Sequence, residues 1–266
     1  FGDHPDVLAG FYELLKQPSG IYTQLQRMNR YGVLAALLPA FRLITGRMQF
    51  DLFHVFTVDQ HILFVVRNLR RFAYGKYAEH FPHLAGIFEA IGKPELLYLA
   101  ALFHDISKGQ EGDHSDLGAV EARRFCNRLG IPSGETELVA WLVQHHLLMS
   151  QTAQRKDISD PDIVAEFARV MVDRHRLDHL YLLTVADIAA TSPKLWNNWK
   201  SGLLRELYLS ALDVLERGSK PQMDRVEHLA TARQEAMQEH IDSGVDRGAI
   251  LRFWQLLPTS AFQRLS

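Results

Sequence analysis

Eight residues without a formal charge, Leu96-Leu97-Tyr98-Leu99-Ala100-Ala101-Leu102-Phe103, run straight into His104-Asp105-Ile106-Ser107-Lys108. A run of that composition belongs in a core, and it takes an imidazole and a carboxylate inside with it. Removing a polar side chain from water without a partner costs roughly 2–7 kcal/mol. Two arrangements offset that penalty. His104 and Asp105 can pair with each other at a helix end, or both can ligate a divalent metal, whose natural donors include imidazole nitrogen and carboxylate oxygen.

The rest of the chain is dominated by helical periodicity and lacks sustained alternation, so an all-α fold is expected. Val7 to Leu15 reads as a first helix, started by Pro5 and stopped by Pro18-Ser19-Gly20. Tyr22 to Met28 and Val33 to Leu38 read as short helices. A long one begins at Thr57, where Thr57 and Gln60 have the spacing of a capping box. It carries Ile62, Val65, Val66 and Leu69 on one side and Arg67, Arg70 and Arg71 on the other. Further helices are expected over Glu95–Phe103, Ser115–Arg128, Ser133–Leu148, Ile163–Val172, Leu177–Thr191 and Leu195–Leu215, with 149–160 polar and irregular. Residues 1–55 and 219–266 read as helical arms around a core at 56–218.

With 266 residues, 47% of them hydrophobic, the chain can bury a full core. A net charge of −2 gives no global attraction to nucleic acid or to an acidic membrane. The single cysteine, Cys126, excludes an intramolecular disulfide framework and a thiolate zinc knuckle. No apolar stretch approaches the roughly 20 residues that span a bilayer. The opening Phe1-Gly2-Asp3-His4-Pro5 has neither signal-peptide layout nor initiator methionine, so a cytoplasmic domain excised from a longer protein is expected.

Five of the expected helices bring a candidate metal ligand. His61 lies in the first turn of the long helix, and His104 with Asp105 ends the apolar one. His114 opens the helix after a Gly109–Asp113 loop, and His145 and His146 sit near the end of the next. Asp187 interrupts Tyr181-Leu182-Leu183-Thr184-Val185-Ala186 and Ile188-Ala189-Ala190, with no basic residue three or four positions away. A bond to a distant backbone group or to a hydroxyl such as Thr184 is one explanation of Asp187. A metal is the other, and the better one. His145 and His146 point about 100° apart on a helix, so they need not both ligate.

The order His…His-Asp…His…His…Asp resembles the HD superfamily of metal-dependent phosphohydrolases, an HD-type helical bundle. That resemblance implies one metal held by His61, His104, Asp105 and Asp187. It also implies a second, held by His114 and His146, with Asp105 bridging. Longer strings are similar to the HD region of the bifunctional PII uridylyltransferase/uridylyl-removing enzymes: DLFHVFTVDQH, LFHDISKGQEGDHSDLGA, WLVQHHLLMS, AQRKDISDP and LTVADIAATSPKLWNNWK. In that family a nucleotidyltransferase domain precedes this region and ACT domains follow it. The implied activity is hydrolysis of UMP from the uridylylated tyrosine of the PII nitrogen-signalling protein, the implied partner. His145 stands where that family usually has another residue, which favours His146 as the ligand. Gln60 stands where glutamate is common.

Phosphodiester hydrolysis of this kind needs an activated water, neutralised phosphoryl oxygens and help for a departing tyrosinate. Lys108 either steadies that charge or interacts with a helix dipole. Arg155 and Lys156 either bind phosphate or an acidic patch, or form a solvated loop. His54, seven residues before His61, is a possible second-layer or substrate group. Trp196 and Trp199 are expected to pack, and His80, His83, His175 and His179 to lie at the surface or in hydrogen bonds. One or two divalent ions are expected. Nitrogen and carboxylate donors suit Mn, Fe or Zn better than Mg. The competing expectations are a hydrolase of small nucleotides and a metal-stabilised docking module without activity.

Overall fold

A computed structural model describes residues 2–48, 56–73, 83–192 and 196–218. In chain order the helices are α1 (Pro5–Leu15), α2 (Ile21–Arg30), α3 (Val33–Leu37), a 3-10 turn (Pro39–Leu43), α4 (Val58–Phe72), α5 (Leu84–Ala90) and α6 (Pro94–Phe103). They continue with α7 (His114–Arg128), α8 (Ser133–His145), α9 (Leu148–Arg155), α10 (Pro161–Met171) and α11 (Arg174–Thr191). A further helix, α12, covers 198–218. Among the described residues there is no strand, only an isolated antiparallel bridge between Met48 and Thr57, so the all-α expectation holds. The chain divides into two compact units, 1–212 and 213–266. The first contains α1 to α11 and most of α12.

Local chemistry explains where the helices begin. Proline occupies the first position of α1, α6 and α10, where its missing N–H removes no helical bond. Asp113, Asp160 and Asp173 cap α7, α10 and α11 by accepting from the N–H groups of Ser115 and Asp116, Asp162, and Arg176 respectively. The capping box expected at α4 does not form. Thr57 is the N-cap residue and its backbone is extended, but its side chain makes no capping bond and its Oγ1 is buried without a hydrogen-bond partner.

The apolar run becomes α6, and every side chain from Leu96 to Phe103 is at most 2% exposed. Each fully buried leucine or phenylalanine there is worth about 1.5–3 kcal/mol. α6 packs against α4, α7, α8 and α11, making it the central strut of the first unit. Its uniform apolarity follows from having neighbours all round.

Three sequence expectations need correction. Residues 148–155 are helical, because Met149, Thr152 and Ala153 recur at helical spacing and are buried. The short helix α5 was not foreseen; Leu84 and Phe88 anchor it. The last described helix starts at 198 instead of 195, after Asn197 accepts a bond from the Lys200 N–H at 2.9 Å. Trp196 therefore precedes that helix. Trp199 is 64% exposed and does not pack into the core.

Candidate metal centre

Five helices converge on Asp105. α6 ends at Phe103, and the chain turns tightly through His104 to Lys108 with both members of the doublet inside, at 0% and 2% exposed. α4 contributes His61, on the face that also buries Val58, Ile62 and Val65. Asp187 comes from α11, His114 from the first position of α7, and His146 from the residue after α8.

His61, His104 and Asp105 offer donor atoms that all lie within 4.8 Å of one another, and Asp187 Oδ1 approaches this group through the two histidines. His61 Nε2 lies 3.2 Å from His104 Nε2, 3.0 Å from Asp187 Oδ1 and 3.6 Å from Asp105 Oδ2. His104 Nε2 is 3.4 Å from Asp105 Oδ2 and 3.7 Å from Asp187 Oδ1. Donors sharing one cation at bond lengths near 2.1 Å lie roughly 3.0–3.4 Å from their nearest co-ligands. The observed spacing fits that shell with slight loosening. A second group faces the other oxygen of the same carboxylate. Asp105 Oδ1 is 3.7 Å from His114 Nε2 and 3.8 Å from His146 Nε2. Asp105 Oδ1 and His114 Nε2 are also buried without hydrogen-bond partners. Orphaned buried acceptors are costly in an apolar setting and are satisfied by a cation.

The imidazoles are oriented for this. His104 donates Nδ1–H to the Ala101 carbonyl at 2.8 Å, and His146 donates Nδ1–H to the Val143 carbonyl at 2.7 Å. Each leaves Nε2 aimed at Asp105, the arrangement that metal-ligating histidines adopt. Burial, then nearby His104, pulls the His146 pKa down to about 4, so it is a neutral donor near pH 7. Burial also opposes charge on His104, but Asp105, through proximity and a hydrogen bond, and Asp187 outweigh it and raise its pKa. Burial works against ionisation of Asp105 as well, yet His104, Lys108 and His61 hold its carboxyl well below the usual range. Asp187 is likewise depressed, with His61 and His104 overcoming burial. Two ionised carboxylates in a buried pocket create the field that a divalent ion neutralises.

The remaining candidates divide. Lys108 places Nζ 2.7 Å from Asp105 Oδ2. Thr184 does not hold Asp187, since its Oγ1 is buried without a hydrogen-bond partner. His145 turns away from the group: its Nδ1–H reaches the Trp141 carbonyl at 2.9 Å and its ring stacks on Trp141. Arg155 and Lys156 make no hydrogen bond or ion pair with the six clustered residues; Lys156 pairs with Glu166 at 3.3 Å. Arg155 belongs to α9 and not to an irregular loop. His54 lies outside the described residues. A surface cavity of about 600 Å³, lined in part by Lys93, Glu135, His175 and Arg176, contains none of the six.

Sequence reading missed Asp59. It is 5% exposed, two residues before His61, and accepts from Asn29 Nδ2 at 2.8 Å and from the Gly46 N–H at 3.0 Å. An acidic residue beside Val58 and one turn before Ile62 on an apolar face was the available signal.

Known proteins resemble this chain along nearly its whole length. The HD domain family matches residues 58–218. The chain is 52% identical, over 99% of its length, to the bifunctional uridylyltransferase/uridylyl-removing enzyme of Methylococcus capsulatus, of which it covers 30%. It is 50% identical to the enzyme of that name from Nitrosococcus oceani, over 96% of this chain and 29% of that protein. For the Pseudomonas fluorescens enzyme the identity is 47%, over 96% of this chain and 28% of that protein. The chain thus spans less than a third of these multidomain relatives. With the family match extending over more than half of its residues, and with the histidine–aspartate doublet at its centre, the chain belongs to the HD-domain family.

Proposed function

We propose that this chain is a metal-dependent phosphodiesterase that removes UMP from the uridylylated tyrosine of a PII signalling protein. The observation that carries the reading is the division of Asp105: its two oxygens face two separate sets of histidine donors. In this reading His61, His104, Asp105 and Asp187 hold one ion, and Asp105, His114 and His146 a second. The name that the relatives share supports uridylyl removal. PII as partner, and adjoining domains on the full-length protein, follow from the same likeness. Imidazole-rich donors with no thiolate favour Mn, Fe or Zn over Mg.

Bound divalent ions supply charge neutralisation at the phosphoryl oxygens and acidify water. The chain's own residues do the rest. Asp105 and Asp187 remain ionised and available to cations, because their pKa values are depressed. His104 and His146 are locked by their carbonyl bonds, so the donor geometry is set before substrate arrives. A water gives up a proton to solvent and attacks phosphorus, the bond from phosphorus to the tyrosine oxygen breaks, and the tyrosinate takes a proton from solvent. A phenolate of pKa near 10 is a fair leaving group. Lys108, part-exposed beside Asp105, balances negative charge as it develops.

The test is UMP release from uridylylated PII by the metal-loaded chain. The wild type is expected to release UMP and to leave free nucleotides intact, with His104→Ala and Asp105→Ala at least 1,000-fold slower. Turnover of free nucleotides alone would indicate a small-molecule hydrolase. Binding of PII without any release would indicate a docking module.

A further inference from the structure

We infer that Arg47 is a phosphate-binding residue at the rim of the metal cluster, contacting the non-bridging oxygens of the phosphodiester. Gly109 follows Lys108 directly and has a left-handed backbone (φ +76°). The space that a Cβ on Gly109 would take is filled by the Arg47 guanidinium. A cation from a segment more than fifty residues earlier thus lies against the short loop that carries His104, Asp105 and Lys108.

The base of that arginine is clamped. The preceding Gly46 donates its N–H to buried Asp59 at 3.0 Å, and Asp59 also accepts from Asn29 at 2.8 Å. The Arg47 carbonyl accepts from the Val58 N–H at 2.9 Å, and Met48 bridges to Thr57. Its backbone is therefore tied to the first turn of α4, three residues ahead of His61. The guanidinium itself makes no ion pair or hydrogen bond among the described residues, and the residue is exposed. The backbone of this arginine is held while its five side-chain donors are uncommitted. A planar fork of donors binds two phosphoryl oxygens at once, which an ammonium does not. Lys108 is paired with Asp105 at 2.7 Å, and Arg47 adds a second, unpaired cation beside it for an incoming anion. The clamp explains why an aspartate is buried at 59: it positions the arginine.

The inference rests on the phosphodiester reading above, and its test uses probes that separate the two. Binding of inorganic phosphate and of UMP to the metal-loaded chain is measured by calorimetry, alongside KM and kcat for bis(p-nitrophenyl) phosphate. Arg47→Ala is expected to weaken phosphate and UMP binding at least ten-fold and to raise KM similarly. Metal content and melting temperature should stay unchanged. Arg47→Lys should recover only part of the affinity, because the fork is lost. Unchanged phosphate affinity in Arg47→Ala, or loss of bound metal, would overturn the assignment even if UMP release from PII were observed. Arginine-dependent phosphate binding without release from PII would sustain it while the proposed substrate failed.

Discussion

At the scale of single residues, Asp105 differs from every other member of the cluster because both of its oxygens have histidine neighbours. Removing it should therefore empty two positions, whereas removing His114 should empty one. Elemental analysis of protein purified with manganese is expected to give near-zero metal for Asp105→Ala and about half the wild-type content for His114→Ala. Equal losses in the two variants would contradict a shared carboxylate. His179, outside the cluster, supplies a pH prediction. It is fully buried, donates Nδ1–H to the His175 carbonyl at 2.7 Å, and has no partner at Nε2. Burial pulls its pKa down to about 4. The unfolded chain, with a histidine pKa near 6.5, binds this proton first as pH falls, so stability is complete above 6.5 and declines toward 4. At 1.36 kcal/mol per unit the full loss is about 3 kcal/mol, of which about 2 should be lost by pH 5. Urea unfolding at pH 7.5 and pH 5 should show His179→Leu losing about 2 kcal/mol less than wild type. A sequence shows such residues only when they violate their surroundings. Asp187 stood out inside an apolar helix, and the doublet stood out after an apolar run. Arg47 looks like an ordinary surface residue until the fold joins 46–48 to the start of α4.

At the scale of elements, the approach of α7 to the end of α6 depends on a missing side chain. A Cβ on Gly118 would meet the Phe103 carbonyl oxygen at 2.9 Å and Val143 Cγ1 at 3.0 Å. Both neighbours are fixed, one by backbone and one by core packing, so α7 has to move. Gly118→Ala should cost about 1–3 kcal/mol, the usual range for overpacking. Because α7 begins with His114, the same variant should also weaken manganese binding, measurable by calorimetry. The link between α10 and α11 points the other way. Val172 sits at φ 69°, ψ −50°, and the Asp173 N–H reaches back to the Met171 carbonyl at 2.8 Å. This is a three-residue turn in the left-handed half of backbone space, occupied by a β-branched residue that is 64% exposed. Val172→Gly should raise stability by about 1 kcal/mol, relief of strain exceeding the entropy glycine loses. A lower urea midpoint for that variant would show that the turn is unstrained. Elements with a clear apolar period or a proline start were legible in advance. α9 was not, because a buried threonine at 152 disguised its apolar face. The Thr57–Gln60 spacing was a false signal, since the threonine hydroxyl is buried with no hydrogen-bond partner instead of capping α4.

At the scale of the whole molecule, the cluster is where α4, α6, α7, α8 and α11 are tied together across residues 61 to 187. The fold class was legible because helical period and burial reinforce each other along nearly every segment. The order of the candidate ligands came from the family likeness, but no spacing in the sequence states that one carboxylate faces both groups of histidines. That convergence has a thermodynamic consequence. A cation that binds the folded chain and not the unfolded one stabilises it by RT ln(1 + [L]/Kd), about 4 kcal/mol at 1,000 times Kd. For a chain of this size each kcal/mol shifts the melting temperature by about 2–4 °C. Chelation should therefore lower the melting temperature of the manganese-loaded wild type by roughly 8–16 °C. Asp105→Ala, with little metal to lose, should melt at the same temperature with or without chelator. His145→Ala, whose imidazole faces Trp141, should respond to chelation as the wild type does. Calorimetric melts of the three proteins, with and without chelator, check this directly. A wild type indifferent to chelation would mean that the five helices hold together by packing alone, and that the histidines and aspartates at their junction do not anchor an ion.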